Sequence, residues 1–374
     1  MIKLLLFLVI FVGFSLLLYF YCKRVNKYKP NNVIVKLRFR DILFLFAFCV
    51  PLVLLVTFRG YNVGVDTSGY IDDFLYNDAY FILRAQESLE YFSYGIMIVC
   101  KRYFGYRESF FVFGFFALVP ALCAIFKLSK KVNPGYLCFL FLLIFYQECF
   151  NAVRQMPAVS FVFLSYTFSL EKKNIRFFIF LLIAFLFHSA SIFALPIVLF
   201  PYGKKRNLRL FLLIVISIAI FISFPLIYKF ITNTLGYSRF AIYSNENAFT
   251  FDGVFSWFKN VLISLIVLFP IILLGNKKMQ LPDNEATFKF VLWECTIVYS
   301  LCVFLQLFQN YFFRVGWFYQ IGMLVLMSYY CSSNANKNKR AFQYIVIAFY
   351  IFYFISLNFI RNYETSALTN FAFD

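Results

Sequence analysis

His188 is the one histidine in this chain, and it stands inside an otherwise apolar run, FFIFLLIAFLFHSASIFALPIVLF. Its ordinary pKa lies near neutrality, which suits a general base that takes a proton from a reacting hydroxyl. The structural alternative is a histidine bonded to Ser191 or to a carbonyl freed at a helix break. Arg59, Arg154 and Arg314 form a second group. Each offers a planar fork of donors and keeps its charge, so three guanidiniums on one membrane side suit a pyrophosphate. The competing reading is snorkelling at the interface, or pairing with a nearby carboxylate such as Glu148 for Arg154. Asp66, in GVDTSGY, is either a second candidate base or a turn aspartate bonding its own loop.

Other chemistry has few residues to draw on. Asp72 and Asp73 form the pair that a metal-dependent sugar-nucleotide site uses, but the charge map below puts them on the outer side, where nucleotide sugars are absent. The nine cysteines are scattered without a Cys-x-x-Cys pair. With one histidine, a zinc or iron site lacks ligands, and no metal or cofactor is expected. There is no Gly-rich phosphate loop, serine-nucleophile motif or HExxH.

The elements that must position these residues are membrane helices. The chain is 63% hydrophobic and 14% charged, with a mean hydropathy of +0.78. Its apolar residues run unbroken near 2–22, 42–58, 109–126, 135–150, 156–170, 177–200, 208–230, 254–274, 290–308, 312–331 and 341–360. A helix needs about 20 apolar residues to cross the hydrocarbon core, so the pattern predicts an all-α polytopic bundle of about ten or eleven membrane segments. The expectation is one membrane domain over 1–374. Basic residues crowd short connectors: Lys23 to Arg40, Lys127 to Lys131, Lys172 to Arg176, Lys204 to Arg209, Lys277 with Lys278, and Lys337 to Arg340. The positive-inside rule places these in the cytoplasm. The net charge of +18 is therefore a topology signal and no nucleic-acid patch. Acidic residues gather in the opposite connectors, 59–107 and 231–252, read as external loops. The first of these predicts an interfacial helix over Tyr80 to Tyr106. Basic connectors on both sides of 177–200 favour a re-entrant hairpin folding back at His188 over a single crossing, and 135–150 with 156–170 predicts a tight hairpin turning at Glu148 to Gln155.

The stretches FRGYNVGVDTSGYIDDF, NAVRQMPAVSFVFLS, IAFLFHSASIFALP, YSRFAIY and NYFFRVGWFYQIGMLVL resemble signatures of the EpsG-type, Wzy-like polysaccharide polymerases. The resemblance covers most of the chain in the expected order, and Arg-Gln followed about a span later by Phe-His-Ser is its more specific part. Pro157 departs from the small or aliphatic residue usual after Arg-Gln, which bears on where that helix starts. The resemblance implies a multi-pass protein of the bacterial inner membrane with its active site facing outward. There it would join oligosaccharide repeat units carried on undecaprenyl pyrophosphate into O-antigen, capsule or exopolysaccharide. Its partners would be that lipid-linked oligosaccharide, the bilayer and other polysaccharide-assembly membrane proteins. Position by position it points to Arg59, Asp66, Arg154, Gln155, His188, Arg239 and Arg314. The rival functions are a lipid-linked oligosaccharide flippase and a membrane acyltransferase modifying the same glycan.

Overall fold

Inside a bilayer every backbone N–H and C=O must be bonded within the protein, and apolar runs of this length meet that demand as helices. The computed structural model describes residues 2–26, 34–64, 66–202, 283–306, 311–332 and 339–360, with a few isolated positions between 211 and 262 and Phe371. Among these residues every regular element is a helix. The chain opens with α1 (Ile2–Asn26) and α2 (Phe39–Thr57). Three short helices follow, α3 (Thr67–Asp73), α4 (Asp78–Ser88) and α5 (Tyr91–Tyr103), and then α6 (Tyr106–Leu128). Helices α1, α2 and α6 are each long and apolar enough to cross a membrane. The next apolar run is composite: α7 (Pro134–Phe141), a π-helical stretch (Leu142–Tyr146) and α8 (Glu148–Asn151). Then come α9 (Gln155–Leu170), α10 (Asn174–Phe187) and a 3₁₀ segment (Ser189–Tyr202). The last helices described are α11 (Asp283–Leu305), α12 (Tyr311–Ser332) and α13 (Lys339–Ile360). The expected segments at 208–230 and 254–274, and the loop 231–252, lie outside the described residues apart from those isolated positions.

Among the described residues, the basic connectors at 23–40, 127–131 and 172–176 meet at one end of the bundle. Val35 N–H donates to the Lys127 carbonyl at 2.8 Å, and Asn26 Nδ2 to Ser129 Oγ at 3.0 Å. Glu171 accepts from both Lys127 and Lys173 at 2.5 Å. Asn133 is held by Ser332 Oγ at 2.7 Å and Ser328 Oγ at 3.1 Å. The ends of α1, α6, α9 and α12 and the starts of α2, α7 and α10 are thereby tied together.

The segment 177–200 turns back as the charge pattern predicts. Phe187 O, at the end of α10, accepts from Ser93 Oγ at 2.7 Å, far from the basic end. Ile197 O then accepts from Ser169 Oγ at 3.1 Å, back beside the last turn of α9. The two arms are comparable in reach: 14 residues of α-helix rise about 21 Å, and 14 residues of 3₁₀ helix about 28 Å. The hairpin between α8 and α9 is also present, with Pro157 in the first turn of α9, where a missing N–H costs nothing.

The interfacial stretch differs from the single expected helix. Leu89 takes the left-handed conformation, φ 60°, and breaks it into α4 and α5. Leucine in that region is strained by roughly 1–2 kcal/mol, so tertiary contacts override the local pattern. Glu90, the next residue, becomes the N-cap of α5 and is buried.

Candidate functional site

The end of the bundle opposite the basic connectors gathers most of the residues singled out from sequence. Loop 58–66 reaches it by packing on the end of α8. Gly64 has φ +94°, and a Cβ there would lie 2.5 Å from the Phe150 carbonyl, so only glycine fits. Thr67 Oγ1 pins the same loop by donating to Val63 O at 2.6 Å and Phe150 O at 3.3 Å. The π stretch widens the helix just before Glu148, the kind of irregularity that recurs at functional sites.

At the centre is Glu90, one of the acidic residues of the connector 59–107. Glu90 Oε2 accepts from Arg154 Nη1 at 2.5 Å, and Glu90 Oε1 is in hydrogen-bond contact with His188 Nδ1. Arg154 Nη1 also donates to the Tyr94 hydroxyl at 2.5 Å, and Arg154 Nε to the Tyr70 hydroxyl at 3.2 Å. The guanidinium carbon lies 4.9 Å from the Tyr94 ring centre. Arg154 does pair with a carboxylate, but with Glu90, brought in from α5, and not with its sequence neighbour Glu148. Its Nη2 makes none of these bonds.

His188 ends α10 in extended conformation, its N–H donating to Ala184 O at 2.9 Å. The Phe187 ring anchors it, stacked on Phe161 with centroids 5.7 Å apart and edge-on to Phe92 at 5.8 Å. The imidazole does not bond Ser191; that residue's backbone N–H instead donates to His188 O at 3.0 Å. His188 Nε2 is buried and has no hydrogen-bond partner among the described residues.

The remaining candidates sit at different depths. Arg59 is 1% exposed. Its Nη1 donates to Cys149 O at 3.1 Å, and its guanidinium carbon lies 3.7 Å from the Phe110 ring centre. Arg59 Nε and Nη2 are buried without hydrogen-bond partners among the described residues. Burial pulls its pKa down to about 9, against the opposing pull of Tyr70, Cys149 and Asp66, so it stays a cation at neutral pH. Arg314, in the first turn of α12, is exposed. Gln155 ties that turn to α9 through Nε2, which donates to Arg314 O at 3.0 Å. Asp66 is exposed as a residue, yet the protein around its carboxyl raises its pKa. Arg314, Arg154 and Arg59 pull the other way, and Glu148 adds to the rise. Asp66 makes no ion pair with any of the three among the described residues. Arg239 lies outside the described residues. Asp72 and Asp73 accept from the Tyr61 and Tyr80 hydroxyls at 3.2 and 2.9 Å.

An apolar cavity of about 700 Å³ lies beside this cluster, walled by α5, α6 and α10 through Tyr91, Ile96, Val99, Phe116 and Phe187. Helix α5 separates the two: Glu90 and Tyr94 face Arg154, while Tyr91 and Phe92 line the cavity.

Fold and site define a helical membrane protein with a charged, tyrosine-lined cluster at one end of the bundle, flanked by an apolar cleft. The family model described as the EpsG family matches residues 42–372, nearly the whole chain, and the protein belongs to that family. It is accordingly a membrane protein of polysaccharide biosynthesis, in a family of polysaccharide polymerase-like enzymes. No curated protein and no solved structure matches the chain.

Proposed function

We propose that this protein joins oligosaccharide repeat units carried on undecaprenyl pyrophosphate, working at the outer face of the bacterial inner membrane. The observation that carries the reading is the meeting of His188 and Arg154 on one carboxylate, at the end of the bundle away from the basic connectors. In the reaction, a hydroxyl of the incoming lipid-linked unit attacks the anomeric carbon of the growing chain. His188 Nε2 takes the hydroxyl proton as the new C–O bond forms. The bond from the anomeric carbon to the pyrophosphate breaks, and its electron pair leaves with the pyrophosphate. One displacement of this kind inverts the anomeric centre.

Developing negative charge on the leaving group needs positive charge held in place. Arg154 Nη2 and the exposed Arg314 are the donors best placed to supply it. Arg59 adds a fixed positive charge from within the protein, and Asp66 is the second candidate base. The apolar cleft beside α5 suits the hydrocarbon part of a lipid-borne substrate, which reaches the cluster from the bilayer.

Deletion of the protein followed by glycan sizing tests the reaction class. A polymerase loss leaves single repeats still transferred to the surface, whereas a transporter loss leaves none. His188→Gln sharpens the test, because losing a general base costs about 10²–10⁴-fold in rate. The variant is expected to insert normally and make single repeats with little polymer. Polymer within about threefold of the parent would remove His188 as the base.

A further inference from the structure

We propose that Glu90 is a positioning residue for His188, fixing the imidazole so that its Nε2 lone pair is the one offered to the attacking hydroxyl; this rests on the reading of His188 as the base. A neutral imidazole carries its hydrogen on one nitrogen or the other, and the partner of one nitrogen decides which. Glu90 Oε1 contacts Nδ1, and Glu90 Oε2 is ion-paired with Arg154 at 2.5 Å. A carboxylate held this way has only lone pairs to offer, so the hydrogen must sit on Nδ1. Nε2 is then an acceptor, and it is buried without a partner among the described residues. A buried acceptor left unbonded is costly, and a substrate hydroxyl supplies the missing bond.

The arrangement also couples the two ends of the reaction. When Nε2 takes the proton, the cluster of Arg154, Glu90 and His188 gains one positive charge. That gain coincides with negative charge developing on the pyrophosphate at Arg154. Glu90, held by Arg154, stabilises the imidazolium through the same Nδ1–H bond.

Glu90→Gln reverses the hydrogen bond to His188. The amide oxygen must face the Arg154 donors, which turns the amide NH₂ toward Nδ1 and moves the ring hydrogen to Nε2. Because His188 is the only histidine, ¹⁵N-histidine labelling gives the spectrum of this one ring in lipid nanodiscs, independently of polymer synthesis. At a pH where the ring is neutral, the parent is expected to show hydrogen on Nδ1 and the Gln variant hydrogen on Nε2. Polymer formation by Glu90→Gln is expected to fall by about 10²-fold or more through kcat, with KM little changed. Glu90→Asp, which keeps a carboxylate, is expected to keep the parent's tautomer and recover part of the rate.

Hydrogen on Nε2 in the parent overturns the proposal, and so does a Gln variant that keeps the parent's tautomer. If the Gln variant does not accumulate in the membrane, the parent spectrum and the Asp variant decide in the same way. A switched tautomer with unchanged polymer length would uphold Glu90's hold on the ring and instead remove His188 as the base, which is a failure of the proposed function.

Discussion

At the scale of the residue, Arg154 shows how far charge and shape can be separated. Three of its bonds are inward, to Glu90, Tyr94 and Tyr70, so it does structural work before any anion arrives. Lysine keeps the charge but has a single ammonium on a flexible stem, and cannot hold Glu90 and both tyrosines in one plane. Arg154→Lys is therefore expected to reduce polymer sharply, by tenfold or more, while membrane abundance holds. Arg154→Ala leaves Glu90 buried without its cation, a change worth about 3–5 kcal/mol when one partner of a buried pair is lost. Abundance should fall with it. Immunoblots of membrane fractions beside glycan gels separate the two outcomes, and equal abundance of both variants would show that the Glu90 pair contributes little to stability. Glu90 itself was invisible in the sequence. AQESLEYFSYG reads as the wet face of an interfacial helix, and nothing in its pattern announces the left-handed Leu89 that turns Glu90 inward. His188 was legible because one polar break in a long apolar run is conspicuous.

At the scale of the element, α11 and α12 are held closely because small residues let their backbones approach, as membrane helices do in the absence of a hydrophobic drive between them. A Cβ on Gly322 would clash with Cys295 Cβ, and one on Gly316 would lie 3.3 Å from Cys302 Cβ. Since Cys295 Cβ is fixed to its own backbone, the helices themselves must part. Gly322→Ala is expected to destabilise by about 1–3 kcal/mol, the usual cost of overpacking, and to lower the thermal midpoint in detergent. Adding Cys295→Gly should return part of that loss even though glycine weakens a helix by itself. Simple additivity of the two changes would show that this contact does not set the helix spacing. The consequence reaches the site, because α12 carries Arg314 and is tied to Gln155 at that end. Element boundaries at α2, α6, α9 and α12 follow the apolar runs to within a few residues. The division of the run at 135–150 into α7, π stretch and α8 could not be read, since a widened turn keeps the same apolar character as the helix around it.

At the scale of the whole molecule, the distribution of basic residues fixed more of the architecture than any motif did. Charge costs too much to leave in hydrocarbon, so Lys and Arg must collect where water is, and the bias toward one face orients every helix at once. It also demanded that 177–200 return to the side it came from. The bond from Ser169 to Ile197 O meets that demand within the described residues. Topology can be measured without removing native thiols, because all nine cysteines are buried. Single cysteines introduced at Asp72, Lys173 and Lys205 then report on three positions: the cluster end, the basic end, and the chain just beyond the 3₁₀ segment. A membrane-impermeant maleimide applied to intact spheroplasts is expected to label the first alone. Permeabilisation should expose the other two together, since basic connectors on both sides of 177–200 put Lys173 and Lys205 on one side by the positive-inside rule. External labelling at 205 would make 177–200 a single crossing, invert every helix after it, and carry Arg314 to the face opposite Arg154. The pyrophosphate could not then meet both arginines, so this labelling pattern bears on the chemistry as directly as on the fold.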